Sequence, residues 1–142
     1  FPRGMDAPKT LYLSSLGNGT EEYHDALADY LEAHPDIFVA FQPGTFQMKM
    51  GKERLARVYA RTNLFFANRE EYQRILGIAV TDERVLMEAM RALGPKAVVL
   101  TDGPKGAWAL ENGEMIQVPM LQRGLLTREK LEELLANSRF TI

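Results

Sequence analysis

The sequence alternates short apolar runs with stretches of helical periodicity, and this alternation limits the fold more than any other feature. The apolar runs are continuous, as is typical of parallel strands that are covered on both faces. The candidate strands are Leu11–Leu16, Ile37–Phe41, Asn63–Ala67 and Ala97–Thr101. Strands that alternate with helices predict right-handed crossovers in a mostly parallel α/β sheet.

Helices are predicted between these strands, because apolar residues recur there at spacings of three and four. Thr20 is placed to cap the first helix, and His34-Pro35 ends it. The other predicted helices run from Glu53 to Ala60, from Glu70 to Leu76 and from Asp82 to Leu93. The last one carries an unbroken apolar stripe, which indicates one buried face.

The pattern changes after Thr101. Ala107–Leu110 and Met115–Val118 have the length of short strands, and Asn112-Gly113 between them is a strong hairpin signal. We therefore expect an antiparallel hairpin at one edge of the parallel sheet. A final helix that begins at Thr127 is predicted within residues 125–137.

Composition indicates one globular domain and narrows the range of partners. The chain has 142 residues, of which 46% are hydrophobic and 25% charged, so residues 6–142 are expected to form a single α/β domain. The net charge of −2 combines 17 basic and 19 acidic side chains that are interspersed, which argues against nucleic acid or an anionic membrane as a partner.

Two further features concern processing and location. There are no cysteines, so disulfides and thiolate metal sites are excluded, and no apolar run has the length needed to cross a bilayer. Residues 1–5 are interpreted as the remnant of a cleavable tag, and a cytoplasmic location is expected.

Candidate chemistry is expected beyond the carboxyl ends of the strands, where ligands of parallel α/β sheets bind. Gly17–Gly19, Pro43-Gly44 and Asn68–Glu71 each follow a predicted strand and should share one edge with Thr101–Gly106. In the last segment a hydroxyl and two glycines can present backbone N–H groups to a phosphate. From spacing alone, an ordinary turn before a hairpin is the commoner interpretation.

Asn68 and Glu71 form the second candidate motif. They place an amide and a carboxylate three residues apart at the start of a helix. Glu71 is a candidate magnesium ligand, because Mg²⁺ keeps several waters and often takes only one or two carboxylates. The alternative, in which Asn68 caps the helix and the acidic residues complement the helix dipole, is commoner a priori.

Together the two motifs resemble those of the ribokinase or pfkB family of carbohydrate kinases. That family carries N-x-x-E after one core strand and T-x-G-x-x-G at the end of a later strand. The matched positions are Asn68, Glu71, Thr101, Gly103 and Gly106, all without gaps. The resemblance covers residues 10–119 and implies a ribokinase-like, three-layer αβα fold of the Rossmann-like type.

The resemblance also implies cofactors and roles. In this family the asparagine and glutamate organise the magnesium and phosphate environment, and the threonine and glycines line the phosphates of ATP. It follows that Asn68, Glu71, Thr101, Gly103 and Gly106 would bind ATP, with Glu71 at the Mg²⁺ ion. A nucleotide and a sugar or similar hydroxyl compound are the implied partners.

One part of the family pattern is absent from this sequence. A D-T-x-G-A-G-D segment, which in the family carries the catalytic base and an anion hole, should follow Val118 and does not. Residues 120–124 are interpreted as a junction, and the family's N-terminal sugar-binding and lid portion has no counterpart. We therefore expect a truncated kinase, inactive on its own, with no assigned catalytic residue.

The competing hypothesis is a non-catalytic module. A truncated or engineered α/β scaffold, or a subunit that self-associates or pairs with a partner, fits the same pattern, because loss of a lobe exposes apolar surface. The histidines do not support a metal enzyme, since His24 and His34 lack the spacing of a helical metal site and are interpreted as surface residues.

Overall fold

The structure is a computed structural model that describes residues 7–118 together with Glu132. Glu132 is helical and exposed. The predicted tag remnant at residues 1–5, the junction at 120–124 and, apart from Glu132, the C-terminal helix at 125–137 lie outside the described residues.

The described residues form a six-stranded sheet whose strands are ordered as they occur in the chain. Its strands are β1 (Thr10–Leu13), β2 (Phe38–Phe41), β3 (Leu64–Asn68), β4 (Ala97–Thr101), β5 (Ala107–Glu111) and β6 (Glu114–Val118). Strands β1 to β4 are parallel, and β5 and β6 are antiparallel to their neighbours. This confirms the predicted α/β class and the hairpin at one edge.

The hairpin turn has the backbone geometry that its sequence predicts. Asn112 and Gly113 both have positive φ, 50° and 80°, as a two-residue type I′ turn requires.

Within the described residues, five α-helices connect the parallel strands. They are α1 (Glu21–Ala33), α2 (Thr45–Met50), α3 (Ala56–Arg61), α4 (Arg69–Leu76) and α5 (Glu83–Arg91). Right-handed crossovers between strands in sequential order place every connecting helix on the same face of a sheet. In agreement, the buried side chains of α1, α3, α4 and α5 all join one core cluster.

Alternate residues of strands β2 to β6 face two different cores. In β4, Val98 and Leu100 belong to the core under the helices, whereas Ala97 and Val99 belong to the second core. The helical core is aromatic, with Phe41, Tyr59, Phe65 and Tyr72 in successive ring contacts of 5.4–5.8 Å. The second core is built mainly from small residues: Ala40, Leu64, Ala97, Val99, Ala107 and Ala109.

Two element boundaries differ from the prediction by three residues, and one short helix was not predicted. β1 ends at Leu13, short of the predicted Leu16, because the Ser14 carbonyl accepts a hydrogen bond from the Gln47 side chain. The helix predicted from Glu53 begins at Ala56. The short helix α2 was not predicted, since its sequence carries no apolar period and its stability comes from Gln47, which is fully buried.

Arg61 joins the end of α1 to β2 and β3. Its guanidinium donates to the carbonyls of Leu31 (3.1 Å), His34 (3.0 Å) and Ile37 (2.6 Å), and also to Asn63 Oδ1 (3.1 Å). The Leu31 carbonyl lies in the last turn of α1, where a cation also complements the helix dipole. Burial lowers the pKa of Arg61, because desolvation disfavours the charged guanidinium. The hydrogen bonds to these oxygens stabilise that charge.

Replacing Arg61 with methionine should therefore lower the free energy of unfolding by roughly 2–3 kcal/mol, because methionine keeps the apolar stem and removes every donor. Urea denaturation measures the change. Arg84→Met is the matched control, since it removes only an exposed pair with Glu88 and should cost about 0.5 kcal/mol or less. Equal losses in the two variants would contradict the role of Arg61.

Candidate phosphate-binding edge of the sheet

The two sequence motifs begin side by side, because β3 and β4 are parallel and in register. Asn68 is the register partner of Thr101, at the carboxyl end of both strands. β1 and β2 end at the same edge, where Leu13 is paired with Phe41. The expectation that these four strand ends share one edge of the sheet is confirmed by the pairing.

Tyr72 fixes the helix that follows Asn68. Its side chain is fully buried, and its hydroxyl donates to the Val99 carbonyl of β4 at 2.9 Å. Burial raises the pKa of Tyr72, so the hydroxyl stays protonated as the donor. The start of α4 is thereby held at a defined place beside the end of β4.

Asn68 and Glu71 form a capping box at the start of α4. The Glu71 N–H donates to Asn68 Oδ1 and the Asn68 N–H donates to Glu71 Oε1, both at 2.8 Å. The capping interpretation is thus confirmed, and it occupies one oxygen of each side chain. Glu71 Oε2 has no hydrogen-bond donor among the described residues.

This arrangement fits a hydrated magnesium ion at Glu71 and does not fit a metal held by a protein cage. Residues 7–118 and Glu132 contain no cluster of three or more histidine or acidic side chains that could enclose an ion. Mg²⁺ binds through its waters to one or two carboxylates, for which a half-buried carboxylate with one unused oxygen is suitable.

The segment after β4 is a compact turn in which most backbone N–H groups are hydrogen-bonded to carbonyls of the turn itself. The Asp102 N–H donates to the Gly106 carbonyl (2.8 Å), the Lys105 N–H to Asp102 (3.0 Å) and the Gly106 N–H to Gly103 (3.1 Å). Pro104 has no N–H, so Gly103 carries the one amide of residues 102–106 without an acceptor in the described structure. The turn therefore offers one backbone donor to a phosphate, fewer than its glycines suggest.

Both glycines of the turn have backbone conformations that other residues rarely adopt. Gly103 has φ +52° and Gly106 has φ +91°. A Cβ added at Gly103 would meet no atom within 4 Å. The space next to the unused Gly103 amide is therefore open to a ligand.

Arg69 links the two motifs, and the sequence analysis did not single it out. Its Nη2 lies 2.8 Å from Asp102 Oδ2 and 3.9 Å from Glu83 Oε1, and its Nη1 donates to the Thr81 carbonyl. The hydrogen bond to Asp102 raises the pKa of Arg69. The signal was present in the sequence, since Arg69 and Asp102 each follow a residue of the register pair Asn68–Thr101.

The prediction that His24 is a surface residue is wrong, because His24 is only 1% exposed. Its Nδ1 lies 2.7 Å from the Thr20 carbonyl, which can only accept, so Nδ1 carries the proton. Its Nε2 then accepts from Gln47 Nε2 at 3.1 Å. His34 is half-buried, and its Nδ1 contacts the Tyr30 carbonyl at 2.8 Å.

The same polar cluster closes the edge beyond β1 and β2. Gln47 also donates to the Ser14 carbonyl (3.0 Å) and accepts from the Gly44 N–H (2.6 Å). A Cβ at Gly44 would lie 2.0 Å from Ser15 Oγ, so only glycine fits there. Pro43-Gly44 therefore serves packing at this part of the edge.

Comparison with solved structures shows the same fold in other proteins, two of which are kinases by name. The PfkB protein from Polaromonas sp. JS666 matches with a TM-score of 0.64 at 18% identity, covering 80% of this chain and 40% of that chain. Phosphofructokinase-2 from Escherichia coli, in complex with substrates and products, gives 0.62 at 20% identity, covering 81% and 38%.

A third structure, fructokinase from Vibrio cholerae O395 in its fructose, ADP and calcium ion bound form, gives 0.63 at 17% identity, covering 78% and 37%. This chain thus spans well under half the length of each of the three. At such identities the likeness shows the fold alone. No curated protein sequence matches the chain significantly.

No helix in residues 7–118 or at Glu132 combines the length and apolarity needed to cross a membrane. The sequence matches the pfkB family carbohydrate kinase over residues 6–125, which is most of its length. The fold, the two motifs at one sheet edge and this match agree, and the chain belongs to the pfkB family of carbohydrate kinases.

Proposed function

We propose that the edge formed by the ends of β3 and β4 is the nucleotide-phosphate site of a kinase that transfers the γ-phosphoryl group of ATP to a sugar or similar hydroxyl. The observation that carries the proposal is the register pair Asn68–Thr101, which brings N-x-x-E and T-x-G-x-x-G together. The Vibrio cholerae fructokinase structure contains fructose, ADP and calcium, which supports this substrate class.

Three of the matched residues, Thr101, Gly103 and Glu71, have a group available for this role. The Gly103 amide and the Thr101 hydroxyl can donate to phosphate oxygens. Within residues 7–118, the Thr101 hydroxyl makes only a long contact of 3.5 Å to the Ala67 carbonyl. Glu71 Oε2 can accept from the waters of Mg²⁺, which would neutralise charge on the phosphates. Gly106 supplies the positive φ that closes the turn. Positioning and charge neutralisation account for most of the catalysis of phosphoryl transfer.

The described residues offer no base for the acceptor hydroxyl. Asp102 is the carboxylate beside the turn, and Arg69 occupies one of its oxygens at 2.8 Å. The proposal therefore assigns binding of the nucleotide to this chain and assigns no proton transfer to it. A cytoplasmic location belongs to the same proposal.

A second candidate function is a non-catalytic subunit that pairs with another chain or with a copy of itself. The observation that favours it is the position of β1 at the edge of the sheet. Among the described residues, β1 has β2 as its one strand neighbour. An edge strand of this kind is a template for a further strand.

Gly103→Val should abolish the binding of ATP, because its side chain would fill the space beside the one available amide. The unaltered chain is expected to bind ATP with millimolar affinity, since one amide and one hydroxyl give few charge-assisted hydrogen bonds. Titration monitored by amide chemical shifts measures this affinity.

Gly77→Val is the matched control for that variant. Gly77 also has a positive φ, +68°, and no atom within 4 Å of an added Cβ, but it lies at the opposite end of α4. Both variants should lose about 1–2 kcal/mol of stability through backbone strain, and only Gly103→Val should lose ATP binding. Unchanged affinity in Gly103→Val would exclude this turn as the phosphate site.

The 142-residue chain should show no phosphoryl transfer from ATP to sugars in a coupled assay, because the described residues offer no base for the acceptor hydroxyl. Sedimentation velocity on the same sample separates the two candidates. A monomer that binds ATP supports the kinase-derived nucleotide site, whereas a dimer without ATP binding supports the subunit. Measurable turnover would contradict the expected inactivity.

A further inference from the structure

We propose that Arg69 is a positioning residue of this site, which holds the turn after β4 in place and cancels the charge of Asp102 beside the phosphate. The inference rests on the proposed function, because it deepens the same nucleotide site. Arg69 lies inside the N-x-x-E motif, between Asn68 and Glu71, but is not one of its matched positions.

The contacts of Arg69 cross from one motif to the other. One nitrogen of its guanidinium is 2.8 Å from Asp102 Oδ2, and the side chains of Arg69 and Asp102 are only 23% and 19% exposed. The other terminal nitrogen donates to the Thr81 carbonyl. Ion pairs that are screened from solvent in this way are weakened less by salt than exposed pairs are.

Asp102 is the residue through which the turn is closed. Its N–H donates to the Gly106 carbonyl at 2.8 Å, and its carbonyl accepts from the Lys105 N–H at 3.0 Å. The rest of the turn contains two glycines, which have many accessible backbone conformations. Fixing the side chain of Asp102 therefore restrains both hydrogen bonds that give the Gly103 amide its direction.

The pair also has an electrostatic consequence. Asp102 precedes Gly103 directly, so its carboxylate lies close to where a phosphate would bind. Without Arg69 this carboxylate would repel the phosphate, and at a separation of several ångströms the repulsion weakens binding by roughly tenfold. Removing both charges should leave only the smaller effect of the looser turn.

The positioning role can be measured without any nucleotide. In Arg69→Gln, the amides of Lys105 and Gly106 should exchange with solvent about tenfold faster, in line with the loss of one charge-assisted hydrogen bond. Asp102→Asn, a milder change of nearly equal shape, should give a smaller increase. Arg84→Gln, which breaks the exposed pair with Glu88, should change neither rate. Unaltered exchange in both Arg69→Gln and Asp102→Asn would overturn the positioning role.

Titration with ATP and with inorganic tripolyphosphate tests the electrostatic part. Arg69→Gln should weaken both ligands by roughly tenfold, and the double variant Arg69→Gln/Asp102→Asn should recover most of that loss. Equal weakening in the single and double variants would refute charge cancellation. If the unaltered chain binds neither ligand, the proposed nucleotide site is wrong, and the exchange rates alone then decide whether Arg69 holds the turn.

Discussion

The pairing of β3 with β4 is the constraint on which the candidate site depends. Five consecutive register pairs, from Leu64–Ala97 to Asn68–Thr101, bring the two strands to the same end point. Both strands are buried on both faces, so a slip of one residue would move each side chain into the opposite core. Tyr72 then ties α4 to β4 through the Val99 carbonyl. The Arg69–Asp102 pair follows from this alignment, which also brings the capping box and the Gly103 amide to one edge of the sheet.

The parts of the fold that the sequence predicts are those with a local physical signal. β4 was predicted with its observed bounds, because a run of five β-prone or small residues follows Gly94-Pro95 and ends before glycine-rich sequence. The Asn112-Gly113 turn was predicted for a similar reason, since few residues besides asparagine and glycine adopt positive φ at both positions. Asn68 as the helix cap also follows from local preference.

The failures occur where a tertiary hydrogen bond decides. β1 ends early and α2 exists because the Gln47 side chain, fully buried, bonds to Ser14, Gly44 and His24 at once. Nothing in the local sequence shows that a glutamine will be buried. The sequence also did not predict that most backbone N–H groups of the turn after β4 are hydrogen-bonded within the turn itself. A pattern of glycines does not tell whether the N–H groups point outward or close the turn. Arg69 could have been found, since residues that follow a parallel register pair are themselves neighbours.

The edge beyond β3 and β4 is proposed to hold a metal-bound nucleotide phosphate. The most direct measurement is paramagnetic broadening of amide signals by Mn²⁺ in place of Mg²⁺, with ATP present. We expect selective broadening at Glu71, Thr101 and Gly103, and none at the end of α1 near His34, where Arg61 supplies the nearby charge. Broadening that is centred on other acidic surfaces, or that does not depend on ATP, would contradict it.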